Sequence, residues 1–138
     1  MVYSFDIVGG DFSMAGVASS RLKNMLKQLN LPQDLIKRTI ISCYEAEINV
    51  VAHAFRGKMT VSIDHDQIKM QFVDEGPGIP DIQKAMQEGF STASDHVREM
   101  GFGAGMGLPN IKRNADYLDI QSTVNQGTHV VIINKISL

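Results

Sequence analysis

The chain has 138 residues, 43% of them hydrophobic and 20% charged, with a formal net charge of −2. That length fits one domain, and the ample apolar content at an ordinary charged fraction excludes a disordered acidic or basic tail. The near-neutral balance argues against binding nucleic acid by broad phosphate neutralisation. A single cysteine excludes an internal disulfide or a thiolate metal cluster and fits a reducing compartment. No apolar run approaches the roughly 18 residues of a membrane-spanning helix, and the N-terminal MVYSFDIVGGDF lacks the basic and apolar segments of a signal peptide. A cytoplasmic protein with no membrane or direct nucleic-acid partner is expected.

Val2 to Val8 alternates, with Tyr3, Phe5 and Ile7 on one face and Ser4 and Asp6 on the other, which predicts a half-buried strand closed by Gly9-Gly10. Asp11 or Ser13 is placed to cap a helix in which Met14, Val17, Ala18, Met25, Leu26 and Leu29 recur at helical spacing. Asn30-Leu31-Pro32 breaks that run. A second helix follows from about Gln33 to Ala54, turning Leu35, Ile36, Ile40, Ile41, Ile48 and Val51 inward. Two strands come next, Lys58 to Asp64 and Gln67 to Asp74, joined at His65-Asp66, with Ile68, Met70 and Phe72 sharing one face.

From Glu75 to Gly107 glycine is frequent and the hydrophobic periodicity is interrupted, save for a short helix near Ile82 to Glu88. A helix from Leu108 to about Tyr117 and two strands, Leu118 to Val124 and Thr128 to Ile136, complete the chain. The order β-α-α-β-β-(loop, α)-β-β predicts an α+β two-layer sandwich, one mixed and mainly antiparallel sheet covered on one face by helices. So long a loop inside a compact domain usually carries function.

Three motifs bear on chemistry. Glu45 and Asn49 are spaced i, i+4 and so project from one helix face; a carboxylate can act as a general base and an amide oxygen is a hard ligand suited to Mg²⁺. Alone, such a pair reads first as a solvated polar stripe, because polar pairs at this spacing are common. Asp74 ends an apolar strand and precedes Gly76 and Gly78, which let a ligand approach the backbone; alone, D-x-G-x-G is also a tight turn with a capping Asp. In Gly101-Phe102-Gly103-Ala104-Gly105-Met106-Gly107-Leu108, four alternating glycines run into a helix start, an arrangement of free N–H groups suited to an anion. No Lys-Ser or Lys-Thr follows and no βαβ unit surrounds it, so neither a P-loop nor a dinucleotide fingerprint applies. His53 reads as a packing or hydrogen-bonding residue, because no Cys or second His stands at ligand spacing from it, and Cys43 reads as a small buried residue in preference to a nucleophile.

Together, E-x-x-x-N, D-x-G-x-G and G-x-G-x-G-x-G-L resemble, in order and spacing, the ATP site of the gyrase, Hsp90, histidine-kinase and MutL superfamily. Within it the chain looks most like the small serine kinases of bacterial partner switching, the anti-sigma factors and the stressosome switch kinase. Ser42 to Ala54 is similar to the anti-sigma kinase helix; Asp74 to Ile82 and Glu88 to Thr92 are similar to the stressosome kinase, and Ala93 to Met100 lengthens the lid relative to it.

The resemblance implies a Bergerat-type ATP-binding fold with a mobile lid at about residues 82–105. It implies ATP and Mg²⁺ as cofactors, with Asn49 holding the metal and Glu45 deprotonating a serine of the protein substrate. Asp74 would bond the adenine amine, with Gly76 and Gly78 giving it room and Thr128 beside it. Gly103, Gly105 and Gly107, closed by Leu108, would wrap the phosphates. The implied partner is a STAS-domain protein, with a sigma factor or phosphatase as a second partner; a homodimer is one assembly the sequence leaves open. A nucleotide-dependent binding module that sequesters a sigma factor or activates a phosphatase, without significant phosphotransfer, is the alternative.

Overall fold

A computed structural model describes residues 1–87 and 107–136 of the chain. Five strands, β1 (Val2–Val8), β2 (Arg56–Ile63), β3 (Gln67–Glu75), β4 (Tyr117–Thr123) and β5 (Gly127–Lys135), form one sheet in the order β1-β2-β3-β5-β4. Every described pairing is antiparallel, so the parallel component of the expected mixed sheet is not found among these residues. Helices α1 (Val17–Gln28), α2 (Gln33–His53), the short α3 (Ile82–Ala85) and α4 (Gly107–Asn114) accompany it.

Strand alternation makes the core. Inward residues form cross-strand rows such as Met59–Phe72–Val130–Ile120, in which Met59 and Phe72 are almost fully buried. From the helices, Leu22, Leu26, Cys43 and Ile111 meet this face with no exposure. Burial of each large apolar side chain contributes about 1.5–3 kcal/mol. The central helix α2 packs against α1 on one side and α4 on the other.

Several boundaries differ from the expectations above. The first helix begins at Val17, after a 3₁₀ turn at Phe12–Met14, and Met14 is 53% exposed instead of part of the core. Leu22 takes the central place on α1, and Leu29 lies beyond the helix and is exposed. Neither Asp11 nor Ser13 caps α1. Instead Gly16, at φ 90°, leads into a helix whose first N–H groups are met by the Glu47 carboxylate.

The last helix stops at Asn114 and not at Tyr117, because buried Asn134 intervenes. Its side chain donates to Asn114 O (3.2 Å) and Thr39 Oγ1 (3.1 Å) and accepts from Asp116 N–H (2.9 Å). This turns the chain into β4.

Candidate functional site

The inward alternation of the sheet changes chemistry at one end. Beyond the apolar row of Phe72, Val130 and Ile120, the next inward positions are Gly57, Asp74, Thr128 and Ser122. Thr128 N–H donates to Asp74 Oδ1 at 3.1 Å, and Thr128 Oγ1 lies 2.9 Å from Ser122 Oγ. Partial burial pushes the Asp74 carboxyl above the usual carboxylate range, against the lowering effect of the Thr128 N–H.

Glycine makes this cluster sterically attainable. A Cβ on Gly127, at φ 154°, would stand 1.9 Å from Asp74 O, and one on Gly78, at φ 77°, 2.5 Å from Thr123 O. Gly76 is buried against Ala54 at the end of α2, with its N–H donating to Gln126 O at 3.1 Å. The D-x-G-x-G turn is thereby laced to the β4–β5 turn, through Asn125 N–H to Pro77 O (2.8 Å) and Ile79 N–H to Ser122 Oγ (2.7 Å).

Glu45 and Asn49 stand partly exposed on the α4 side of α2. A Cβ on Gly107 would lie 3.2 Å from Asn49 Oδ1 and 3.3 Å from Glu45 Oε2, so the first residue of α4 sits directly against both side chains. Leu108 is buried in the core and anchors that helix start. Asn110, one turn into α4, donates from Nδ2 to Glu45 Oε1 at 3.4 Å. The structure thus brings Glu45, Asn49, Gly107 and Leu108 together as one group and Asp74, Gly76, Gly78 and Thr128 as a second. The end of α2, one turn (about 5.4 Å) past Asn49, touches Gly76 and links the two. Gly103, Gly105 and most of the expected lid lie outside the described residues.

Sequence reasoning passed over Ser122, Asn110 and Glu47. Ser122 carried a signal, since it continues the inward alternation of apolar Leu118 and Ile120 with a hydroxyl. Glu47 faces away from Glu45 and belongs to the frame, being 2% exposed and bonded to Gly16, Ala18 and Ser19. A concavity of about 260 Å³ between β1 and α1, lined by Phe5, Asp6, Met14 and Arg21 among others, lies on that opposite side of α2. Cys43 is fully buried and its thiol is pushed up to about 12, which makes it inert as a nucleophile; His53 is held below the ordinary histidine range by burial.

Residues 41–137 match the family of histidine kinase-, DNA gyrase B- and HSP90-like ATPases. The serine/threonine-protein kinase RsbT of Bacillus subtilis is 32% identical over 122 residues, covering 85% of this chain and 86% of that protein. An anti-sigma F factor of Thermoanaerobacter is 35% identical over 91 residues, 62% of this chain and 60% of the relative; one of Clostridium beijerinckii is 27% identical over 117 residues, 80% and 78%. The mycobacterial sensor histidine kinase MprB superposes with a TM-score of 0.54 at 18% identity, over 73% of this chain and 72% of that one, a likeness of fold.

Proposed function

The chain belongs to the histidine kinase-, DNA gyrase B- and HSP90-like ATPases, within them to the partner-switching protein serine/threonine kinases and anti-sigma factors, and from that membership we propose that it transfers phosphate from Mg²⁺-ATP to a serine of a STAS-domain partner. The observation that carries the proposal is the seat of Gly107 against Glu45 and Asn49, which leaves both polar heads facing a helix start that has no side chain to obstruct it.

In this reading the base lies at the Asp74 end and the phosphates at the Gly107 end. Asp74, its Oδ1 taken by Thr128 N–H, turns its other oxygen to the adenine amine. The start of α4 offers N–H groups and a positive dipole to the phosphates, and by the same proposal Gly103 and Gly105 add theirs. Asn49 Oδ1 is of the donor class that Mg²⁺ takes, and the missing Cβ at Gly107 leaves it room. The metal would supply charge neutralisation on the phosphates, the main requirement of phosphoryl transfer. Glu45, pinned at Oε1 by Asn110, presents Oε2 to take the proton of the attacking serine hydroxyl. The anti-sigma names of several relatives favour a second partner, a sigma factor, held by the same domain.

Single-turnover phosphorylation of a STAS-domain partner at saturating ATP tests this. Glu45→Gln keeps shape and deletes the base, so transfer should fall by about 10²–10⁴-fold with ATP binding retained. Transfer at the wild-type rate removes the catalytic role of Glu45. A wild-type chain that binds ATP and the partner yet transfers nothing makes it a nucleotide-dependent binding module.

A further inference from the structure

Ser122 has an unusual position for a hydroxyl, inward on β4 and directly opposite Thr128 in the β4–β5 register. Its oxygen accepts from Ile79 N–H at 2.7 Å, a group that can only donate. The one proton of Ser122 is therefore left for Thr128 Oγ1, at 2.9 Å, or for Gly127 O, at 3.2 Å. When it goes to Thr128, the Thr128 hydroxyl has its acceptor role filled and is free to turn its own proton outward, beside Asp74.

Asp74 Oδ1 is already engaged by Thr128 N–H, so the two residues then offer an acceptor (Asp74 Oδ2) next to a donor (Thr128 O–H). The adenine edge carries an amine donor next to a ring-nitrogen acceptor, the complement of that pair. Guanine carries a carbonyl and an N–H in the same two places, the reverse.

We propose that Ser122 is a specificity-determining positioning residue that acts through Thr128 to set the hydrogen-bond polarity of the base pocket in favour of adenine. The proposal rests on the nucleotide reading above and adds to it the residue that orients the hydroxyl. It also gives Ser122 a second task, since the same oxygen holds Ile79 and with it the D-x-G-x-G turn.

The test is competition titration of ATP and GTP against wild type, Ser122→Ala and Ser122→Thr, with urea denaturation as a folding control. Loss of the hydroxyl should lower the ATP-over-GTP affinity ratio by about tenfold, the size of one hydrogen bond to a buried partner. Ser122→Thr, which retains the hydroxyl on a strand-favouring side chain, should restore the ratio. A purely structural role would weaken both nucleotides alike and leave the ratio unchanged. Such a result, or a ratio that the threonine variant fails to bring back, overturns the proposal. If Ser122→Ala does not fold, Ser122→Cys keeps the volume with a weak donor and acceptor, and its ratio is read the same way. Wild type that binds neither nucleotide overturns the nucleotide reading and this inference with it; wild type that binds ATP while the ratio stays fixed overturns this inference alone.

Discussion

Asp74, the proposed partner of the adenine amine, carries a carboxyl that burial disfavours in its charged form. Its carboxyl is raised in the folded chain by desolvation. A raised carboxyl means that the folded state holds its proton more tightly than the unfolded state. This contribution is therefore most favourable at acid pH and is lost as pH rises from the ordinary carboxylate range through the raised value. The charged form is thus less favourable in the folded chain than in the unfolded one. Asp74→Asn keeps an acceptor for Thr128 N–H and removes the charge. Scanning calorimetry at pH 7 should show an unchanged or slightly higher Tm, while calorimetric titration shows ATP affinity down about tenfold or more. A Tm lowered by several degrees would mean that Asp74 holds the fold and not a ligand. Gly127 adds a steric lesson: its turn role is plain from Asn125-Gln126-Gly127, but its contact with the Asp74 backbone appears only when β3 and β5 are paired.

At the scale of elements, α2 carries two carboxylates two residues apart with opposite duties. Residues i and i+2 lie about 200° apart around a helix, so Glu45 faces α4 and Glu47 faces α1. Glu47 accepts from the N–H groups of Gly16, Ala18 and Ser19 and from Ser19 Oγ at 2.6 Å. It satisfies donors that every helix start leaves unpaired and places a negative charge at the positive end of the α1 dipole. Glu47→Ala should cost about 3 kcal/mol or more, because several buried donors lose their acceptor together. The urea midpoint measures this, and a loss below about 1 kcal/mol would contradict the capping role. The pattern E-A-E tells the reader that two carboxylates are present. Which one caps α1 and which one is left for the proposed chemistry depends on the helix that each meets.

For the whole molecule, the Asp74 group meets the end of α2 and the Gly107 group meets Glu45 and Asn49 on the same helix, so the proposed nucleotide, spanning both, would tie β3, β5, α2 and α4 together. Binding to the folded state alone raises stability by about 2.7 kcal/mol at a hundredfold excess over Kd, roughly 10 °C for a domain of this size. Mg²⁺-ATP should give a thermal shift of that order. Asn49→Ala should keep the Tm of the free chain and lose the part of the shift that EDTA also removes. If EDTA leaves the wild-type shift intact, Asn49 holds no metal.

The sequence by itself determined the α+β class, the strand at Val2–Val8, the run of α2, the β2–β3 hairpin and the three motifs. These follow from local periodicity and from glycine's freedom, properties a residue carries with it. What it left open was settled by neighbours distant in the chain. The cap of α1 comes from Glu47, some 30 positions on, and not from adjacent Asp11 or Ser13; the end of α4 is set by Asn134. Met14 is apolar and correctly phased, yet remains exposed because the chain turns before the helix begins. Ser122 gains its meaning only when β4 pairs with β5 and the turn after Asp74 folds back onto it. Periodicity specifies which face of an element is apolar. A hydrogen bond needs a named partner at about 3 Å, and only the packed chain supplies one.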